Sequence, residues 1–271
     1  MTTAVELTGV PETMLWTLHG RAGVAQHEAS LLDDPECVRV YNSIDYDYEA
    51  NFGAPDRGLA VRAKAFDDAV RPWLAEHPGG TVVELAAGLE TQFHRCDDGR
   101  VRWLCVDVPE AIAVRERFLP SGERQWCVPR SALDVAWFDD VDASRGVFVS
   151  AQGLFMYFEP AQVRYLCTAI MDRFPGVVLM FDTVARWFSR KTLTGYALTP
   201  SYTTPRMAWG IDTTEIADVV RSWSPRAADV SVVAYGPSRG IVSTELLAQV
   251  PMLGAMMPSI VVVRSSGSTT A

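Results

Sequence analysis

The sequence has no long hydrophobic run and no excess of positive charge. None of its stretches approaches the ~20 apolar residues that a membrane-spanning helix needs, and its first residues lack the basic start and apolar core of a signal peptide. The formal net charge is -9, and an acidic surface repels phosphate backbones. We therefore expect a cytoplasmic protein that binds neither membranes nor nucleic acids.

Cysteine and histidine are few, and their spacing is unlike that of metal ligands. The five cysteines form no CxxC pair and several lie in apolar runs, whereas the four histidines form neither HxxxH nor HExxH. The cysteines are Cys37, Cys96, Cys105, Cys127 and Cys167. We expect buried free thiols in a reducing compartment, and no metal site.

The first 80 residues read as helices. Apolar residues recur at helical spacing over 11–32, a short helix is predicted for 36–42, and a longer one runs over 59–76 to a stop at HPGG. The stretch 43–58 between them contains three Asp, two Gly and one Pro and is predicted to be a loop.

From residue 81 onwards, short β-branched runs alternate with helical segments. The predicted strands are 81–88, 101–109, 124–129, 146–153 and 176–183, and helices at 109–119 and 160–174 lie between them. This alternation predicts a mostly parallel sheet with crossover helices.

The alternation breaks after residue 183. Residues 183–211 are rich in Trp, Thr, Tyr and Pro without a clean period, which indicates a cap-like insertion. A helix over 213–223 follows. Strands at 230–236 and 259–265, with a helical stretch at 246–253 between them, are predicted to end the sheet in antiparallel fashion.

The first predicted strand ends in a turn that suits ligand binding. In VVELAAGLET, small residues at the strand end let the backbone approach a ligand and direct the next helix's N–H groups towards it. The turn is not GxGxxG, since Ala86 stands at the first glycine position, and this disfavours a nicotinamide-dependent reductase. Asp107 ends the next strand, where a carboxylate typically binds ribose hydroxyls.

Several segments in consistent order resemble the leucine carboxyl methyltransferase family, in particular its bacterial branch of tetracenomycin-type polyketide O-methyltransferases. They are GRAGVAQHEASLLDDPECVRVYNSIDYDY, VRAKAFDDAV, VVELAAGLETQFHR, VRWLCVDVPEAIAVRERFLP, SALDVAWFDDV, SAQGLFMYFEP and FDTVARWF. The match extends over about residues 12–190 and weakens afterwards.

The resemblance implies a Rossmann-like class I methyltransferase that uses S-adenosyl-L-methionine. It implies an α/β fold with a mostly parallel seven-stranded sheet, an antiparallel last strand, N-terminal helices and a cap-like insertion after the fifth strand. We expect one domain over 1–271. Its parts are a helical cap (1–80), a cofactor-binding core (81–183), the insertion (184–211) and the end of the sheet (212–265).

The same resemblance implies site residues at matching positions. The residues expected to bind the cofactor are Arg62, Glu84, Ala86, Gly88, Asp107, Val108, Ser131, Ala132 and Gln152, and those expected to be catalytic are Tyr157, Arg21 and His19. Arg62 matches an arginine that pairs with the cofactor carboxylate. Two positions depart from the family pattern, because Ala86 replaces a usual glycine and Gln152 replaces an acid.

For the reaction, the sequence favours methyl ester formation on a carboxylate, which is already ionised near pH 7 and needs no general base. Such an acceptor needs a cation, for which Arg21, Arg186 and Arg206 are candidates. Aromatic residues around the insertion indicate a small, flat, apolar acceptor. They are Trp187, Phe188, Tyr196, Tyr202 and Trp209.

Two alternatives stay open at the level of the sequence. A phenol or alcohol acceptor would need a base, for which His19, His27 or His94 could serve. The departures at Ala86 and Gln152 would also suit a chain that only binds a ligand or partner. The sequence gives no signal for the oligomeric state.

Overall fold

A twisted seven-stranded sheet forms the centre of the molecule in this computed structural model, which describes residues 2–234 and 257–267. The strands are β1 (Thr81–Leu85), β2 (Arg102–Asp107), β3 (Gln125–Pro129), β4 (Val147–Ala151), β5 (Val178–Thr183), β6 (Ala227–Ala234) and β7 (Ser259–Ser265). Their spatial order is β3-β2-β1-β4-β5-β7-β6. Neighbours among β1 to β5 are parallel, and β7 runs antiparallel to both β5 and β6. The predicted fold class is therefore confirmed.

Helices cover both faces of the sheet and precede it in the chain. They are α1 (Thr13–His27), α2 (Pro35–Ser43), α3 (Tyr48–Phe52), α4 (Arg57–Glu76), α5 (Gln92–Cys96), α6 (Pro109–Phe118), α7 (Pro160–Arg173), α8 (Arg186–Leu193) and α9 (Thr213–Trp223). Two short 3₁₀ helices lie at Val135–Asp140 and Phe155–Tyr157. No helix in the described ranges is long and apolar enough to cross a membrane.

The strands are apolar because both faces of the sheet are covered. All residues of β1 and β4 are buried. On one face Leu85 and Val149 pack with residues of α7, and on the other Val82 and Phe148 pack with residues of α4. Burial on both faces is typical of a parallel sheet with crossover helices.

Three local predictions were wrong or imprecise. Residues 43–58 are not all loop, since Ile44–Asp45 pairs with Thr3–Ala4 and α3 follows. Asp47 caps α3 by accepting a hydrogen bond from the Ala50 N–H at 3.0 Å, and two aromatic residues of this helix are buried. The first helix ends at His27 rather than at residue 32, and α8 lies within the stretch for which no period was found. The helix predicted at 246–253 and residues 235–236 lie outside the described residues.

The order in which strands are added to the sheet reverses between β1 and β4. The chain builds outwards from β1 to β3 on one side and then returns to place β4 on the other side of β1. In open α/β sheets, ligands bind over the carboxyl ends of the strands at such a switch point. The fold thus places the residues that follow β1, β2, β3 and β4 around one crevice.

Candidate functional site

A cavity of about 310 Å³ lies over the carboxyl ends of β1, β2 and β4, and we call it the strand-end cavity. Its lining includes ten of the twelve predicted site residues. They are Arg62, Glu84, Ala86, Gly88, Asp107, Val108, Ser131, Ala132, Gln152 and Tyr157. Its opposite wall comes from the start of the chain, through Val10, Pro11, Thr13, Met14 and Thr17. Sequence reasoning missed this wall.

The turn after β1 has a backbone conformation that favours glycine. Gly88 has a φ of 45°, and a Cβ added there would lie 3.0 Å from the Cβ of Met14. Ala86 has a φ of 52°, which places an alanine in the left-handed region. That conformation costs an L-residue roughly 1–2 kcal/mol relative to glycine, so the replacement of the usual glycine strains the turn.

Asp107 holds the turn after β1 against the end of β2. Its Oδ2 accepts a hydrogen bond from the Gly88 N–H and its Oδ1 accepts one from the Val108 N–H, both at 2.8 Å. Burial raises the pKa of Asp107, although these two N–H donors oppose the change. Each carboxylate oxygen keeps a lone pair for a further donor in the cavity.

Glu84 forms part of the cavity floor. Its Oε2 accepts a hydrogen bond from the Trp103 Nε1–H at 3.1 Å, and burial raises the pKa of Glu84 to about 7 despite the charge of Arg115. The other oxygen, Oε1, is buried and has no partner among residues 2–234 and 257–267. This carboxyl group therefore offers one oxygen to whatever occupies the cavity.

The turn is also held from below by Arg115 of α6, which sequence reasoning missed. Its guanidinium is fully buried and donates to the carbonyl oxygens of Gly88 at 2.9 Å and Glu90 at 2.8 Å, with a longer contact to that of Ala87. The carbonyl oxygens of Gly88 and Glu90 are thereby satisfied by one side chain, whereas that of Ala87 also accepts the Glu90 N–H at 2.8 Å. No local pattern in the sequence identifies this role, because Arg115 is one of two arginines on α6 and its partners lie more than twenty residues away.

Gln152 follows β4 and lines the strand-end cavity. Neither its Oε1 nor its Nε2 is accessible to solvent, and neither finds a partner in the part of the chain that the structure describes. A buried amide without hydrogen bonds is costly unless a ligand supplies them. A ligand in the strand-end cavity could supply the hydrogen bonds that this amide lacks.

Arg62 lies between the strand-end cavity and a second cavity. Its guanidinium donates to Asp182 Oδ2 at 2.9 Å, and Asp182 Oδ1 accepts the Gly153 N–H at 2.5 Å. Gly153 has a φ of 67°, and a Cβ there would lie 3.0 Å from the Arg62 guanidinium. The end of β5 therefore fixes both Arg62 and the turn after β4, a function of Asp182 that the sequence did not reveal.

The second cavity has a volume of about 400 Å³, and we call it the aromatic cavity. It shares Arg62, Gly153 and Tyr157 with the strand-end cavity, so the two meet at these residues. Its aromatic lining residues are Trp16, Tyr157, Trp187, Phe188 and Tyr196. Burial raises the pKa of Tyr157 to about 12, which keeps its hydroxyl protonated at neutral pH.

Arg21 and His19 lie outside both cavities, which corrects their expected place in the catalytic set. The buried Arg21 guanidinium donates to Glu90 Oε1, Thr91 Oγ1 and the Leu89 carbonyl oxygen, each at 2.9 Å. His19 Nε2 lies 2.9 Å from the Gly53 carbonyl oxygen, and its ring stacks on Tyr48. Arg21 therefore ties α1 to the turn after β1, and neither side chain lines the strand-end cavity or the aromatic cavity.

Arg21 belongs to a larger group of buried charges, which we call the buried ion network. Arg95 of α5 bonds to Asp34 at 2.5 Å, to Asp67 at 2.7 Å and to Glu90 at 2.9 Å. These side chains are almost fully buried, and they join α1, α2, α4 and α5 to one turn. The members of the buried ion network are Arg21, Arg95, Asp34, Asp67, Glu90 and Thr91.

The remaining predicted candidates are distributed around the molecule. Arg186 pairs with Glu215 and lies 3.9 Å from Asp212, and Arg206 is exposed. His27 and His94 line neither cavity. Of the five aromatic residues expected near the acceptor, Trp187, Phe188 and Tyr196 line the aromatic cavity, whereas Tyr202 and Trp209 are core residues.

Solved structures share this architecture. The chain resembles an S-adenosylmethionine-dependent methyltransferase from Anabaena variabilis with a TM-score of 0.50 and 13% identity, over 89% of this chain and 95% of that one. It also resembles the small RNA methyltransferase HEN1 with a TM-score of 0.54 and 15% identity, over 83% of this chain and 27% of that one. The fold and the crevice over the strand ends define a class I methyltransferase, and its cofactor is S-adenosyl-L-methionine.

Sequence comparison gives the family. Residues 24–171, more than half of the chain, match the family model of leucine carboxyl methyltransferase. The tetracenomycin polyketide synthesis O-methyltransferase TcmP of Streptomyces glaucescens is 31% identical over 76% of this chain and 77% of its own length. A second relative, the S-adenosyl-L-methionine-dependent methyltransferase dpfgK of Gibberella zeae, is 30% identical over 63% of each chain. The protein belongs to the leucine carboxyl methyltransferase family.

Proposed function

We propose that this methyltransferase forms a methyl ester on the carboxylate of a small, aromatic, polyketide-like acceptor. The observation that carries the proposal is the junction of the strand-end cavity with an aromatic cavity at Arg62, Gly153 and Tyr157. The family and the polyketide O-methyltransferase relative support the same chemistry.

The residues of the strand-end cavity fit S-adenosyl-L-methionine. Asp107 offers two acceptor oxygens suited to ribose hydroxyls, and the buried amide of Gln152 lacks described partners that a polar ligand group would supply. Ser131 and Ala132 line the side expected to receive the adenine, and Gly88 leaves room where a Cβ would crowd Met14. We propose that Arg62 holds the cofactor carboxylate.

When bound, S-adenosyl-L-methionine supplies an activated methyl group on a positively charged sulfur. The protein then has to align the acceptor with that group, a contribution that can reach about 7–11 kcal/mol in well-oriented systems. Tyr157 and Gly153 form the wall where the two cavities meet. The apolar lining of the aromatic cavity removes water from an acceptor carboxylate that reaches this wall. We propose that α1 and residues 184–211 act as the cap that excludes solvent, since both contribute to the lining.

The positions of the histidines favour a carboxylate over a hydroxyl acceptor. All four histidines lie within the described residues and none lines either cavity. His77 stacks on Trp73 and its Nδ1 lies 2.9 Å from the Trp73 carbonyl oxygen, and His94 lies on α5 beside Phe93. A carboxylate needs no base, so this arrangement is sufficient for ester formation.

Replacing Arg62 with lysine tests the cofactor clamp. We expect Arg62→Lys to weaken S-adenosylhomocysteine binding by about tenfold, almost as much as Arg62→Ala, because an ammonium cannot bond to Asp182 and to a cofactor carboxylate with one planar fork. Titration calorimetry measures both variants, and circular dichroism checks their folding. Full affinity in the lysine variant would show that only the charge matters.

The product identifies the reaction. Purified protein, cofactor and a panel of aromatic acids and phenols are incubated, and products are detected by mass and then treated with mild alkali. We expect a base-labile methyl ester. At saturating acceptor the rate is expected to be nearly flat between pH 6 and 9, because a carboxylate with a pKa near ~4 stays ionised there.

A hydroxyl acceptor would give the opposite results. Its aryl ether would survive alkali, and the rate would rise through a base pKa near ~6.5 if a histidine took the proton. One of His19→Gln, His27→Gln or His94→Gln would then lose about 100-fold or more in rate. Failure to consume S-adenosyl-L-methionine with every acid and phenol of the panel would favour the binding-only alternative.

A further inference from the structure

The two cavities differ in the sign of the charges around them. The strand-end cavity has carboxylates on several sides and, among the described lining residues, one cation, Arg62. The acidic residues are Glu84, Glu90, Asp107 and Glu110, of which Glu90 already pairs with Arg21 and Arg95 and Glu84 has a raised pKa of about 7. S-adenosyl-L-methionine carries a net positive charge near neutral pH, because its sulfonium and ammonium groups outnumber its carboxylate. The acidic lining therefore suits the cofactor.

The chain around the aromatic cavity has the opposite charge. Between Asp182 and Asp212 there is no acidic residue, although the whole chain has a net charge of -9. The same stretch contains the cations Arg186, Arg190, Lys191 and Arg206. It also supplies Val184, Ala185, Trp187, Phe188, Tyr196, Leu198 and Met207 to the lining. A positive segment thus surrounds the side on which the acceptor would enter.

Two of these cations lie beside the cavity. Trp187 lines the aromatic cavity and is 47% exposed, so it lies at its mouth. Arg190 and Lys191 follow it by three and four residues on α8 and therefore share its face of the helix. The Lys191 Nζ lies 4.0 Å from the ring centroid of Tyr196, another lining residue, and this cation–π contact holds the ammonium near the mouth.

The charges of Arg190 and Lys191 are not neutralised by a described carboxylate and can therefore interact with a ligand. Both are exposed, and no carboxylate in residues 2–234 or 257–267 forms a salt bridge with either of them. Arg186 differs, because it pairs with Glu215. The two acids that line the aromatic cavity are already engaged, since Asp182 bonds to Arg62 and Asp56 accepts the Gly58 N–H at the start of α4.

We propose that Arg190 and Lys191 form a cationic rim that selects acceptors bearing an acid group and draws them into the aromatic cavity. This inference rests on the proposed function, because it concerns the acceptor of the same site. The rim attracts the ionised acid by long-range electrostatics, and the aromatic walls then bind its ring. The two cavity mouths thereby distinguish a cationic cofactor from an anionic acceptor.

The test measures binding of 2-naphthoate and its neutral analogue 2-naphthamide to the protein saturated with S-adenosylhomocysteine. We expect the wild-type protein to prefer the naphthoate, with the preference decreasing as ionic strength rises. The double variant Arg190→Glu/Lys191→Glu is expected to reduce that preference by about tenfold, and Arg190→Gln/Lys191→Gln by about threefold. Affinity for the naphthamide and for S-adenosylhomocysteine should stay within about twofold in the glutamine variant, which confirms its folding.

Arg173→Glu is the matched control. Arg173 is also exposed with its guanidinium over an aromatic ring, that of Phe174, but it ends α7, just before the amino end of β5, and lines neither cavity. This variant should keep the wild-type preference. The proposal is overturned if the wild-type protein does not bind the naphthoate more tightly than the naphthamide, or if the rim variants keep the preference. If the rim variants lose the preference for the naphthoate, the cationic rim is supported even where the product proves to be an ether. If the protein forms esters but shows no preference for the naphthoate, the cationic rim is contradicted and the proposed reaction is not.

Discussion

Replacing Arg95 with methionine is expected to lower the free energy of unfolding by about 3–5 kcal/mol, the usual effect of removing one partner from a buried ion pair. Arg95 bonds to Asp34, Asp67 and Glu90 within 3 Å, and all four side chains are almost completely buried. Methionine fills most of the volume but leaves Asp34 and Asp67 without their main cation. Equilibrium urea unfolding followed by tryptophan fluorescence measures the change.

Arg124→Met is the control for this substitution. Arg124 also bonds to a carboxylate, that of Asp97, but both side chains are partly exposed to solvent. We expect a much smaller change than for Arg95→Met, because solvent screens such pairs. If Arg95→Met is no more destabilising than Arg124→Met, the buried ion network does not stabilise the fold.

The buried ion network also predicts how the free energy of unfolding depends on pH. Burial alone would raise the pKa of Glu90, but the charges of Arg21 and Arg95 outweigh it and lower that pKa to about 2. Stabilisation by Glu90 is therefore complete above the pKa of the unfolded chain, near ~4.3, and is lost as the pH falls towards 2. In Glu90→Gln we expect a smaller loss of stability between pH 5 and 3 than in the wild-type protein.

Asp107→Ala is expected to weaken S-adenosylhomocysteine binding by about 1–3 kcal/mol, which is about 5- to 150-fold. The substitution removes the proposed ribose acceptor and also the two bonds that hold Gly88 and Val108. Titration calorimetry at constant pH and salt measures the affinity.

Glu110→Ala is the control for Asp107→Ala, because it removes a negative charge from the cavity without removing a hydrogen bond to the turn. Glu110 is an exposed carboxylate of α6 that lines the same cavity, and no hydrogen bond of its side chain holds the turn. We expect it to change the affinity by less than about threefold, as for a screened surface charge. Equal losses in the two variants would mean that Asp107 contributes only its charge.

The residues at the strand ends were predictable because two local patterns converge there. A β-branched run followed by Ala86 and Gly88 indicates a turn that approaches a ligand, and Asp107 ends the next strand at the spacing that ribose binding needs. Parallel strands bring these ends together without further information. The structure therefore places the predicted cofactor residues around one cavity.

Residues whose role depends on distant partners could not be predicted in this way. Arg21 was expected to hold the acceptor, but it bonds to Glu90, which lies 69 residues away along the chain. Arg115 and Asp182 likewise act on turns that are remote in sequence. A long arginine side chain can reach in many directions, so its partner depends on tertiary packing that no spacing rule specifies.

The contact between α1 and the turn after β1 has a consequence for how the molecule opens. Arg21 bonds to that turn, and Thr13, Met14 and Thr17 of the same helix form one wall of the strand-end cavity. Separation of α1 from the sheet would expose the cavity and break the buried pair at once, so we expect helix and turn to exchange their amide hydrogens as one cooperative unit. We expect a cofactor bound in this cavity to slow that exchange in both segments, and so to couple the start of the chain to the first strand of the sheet.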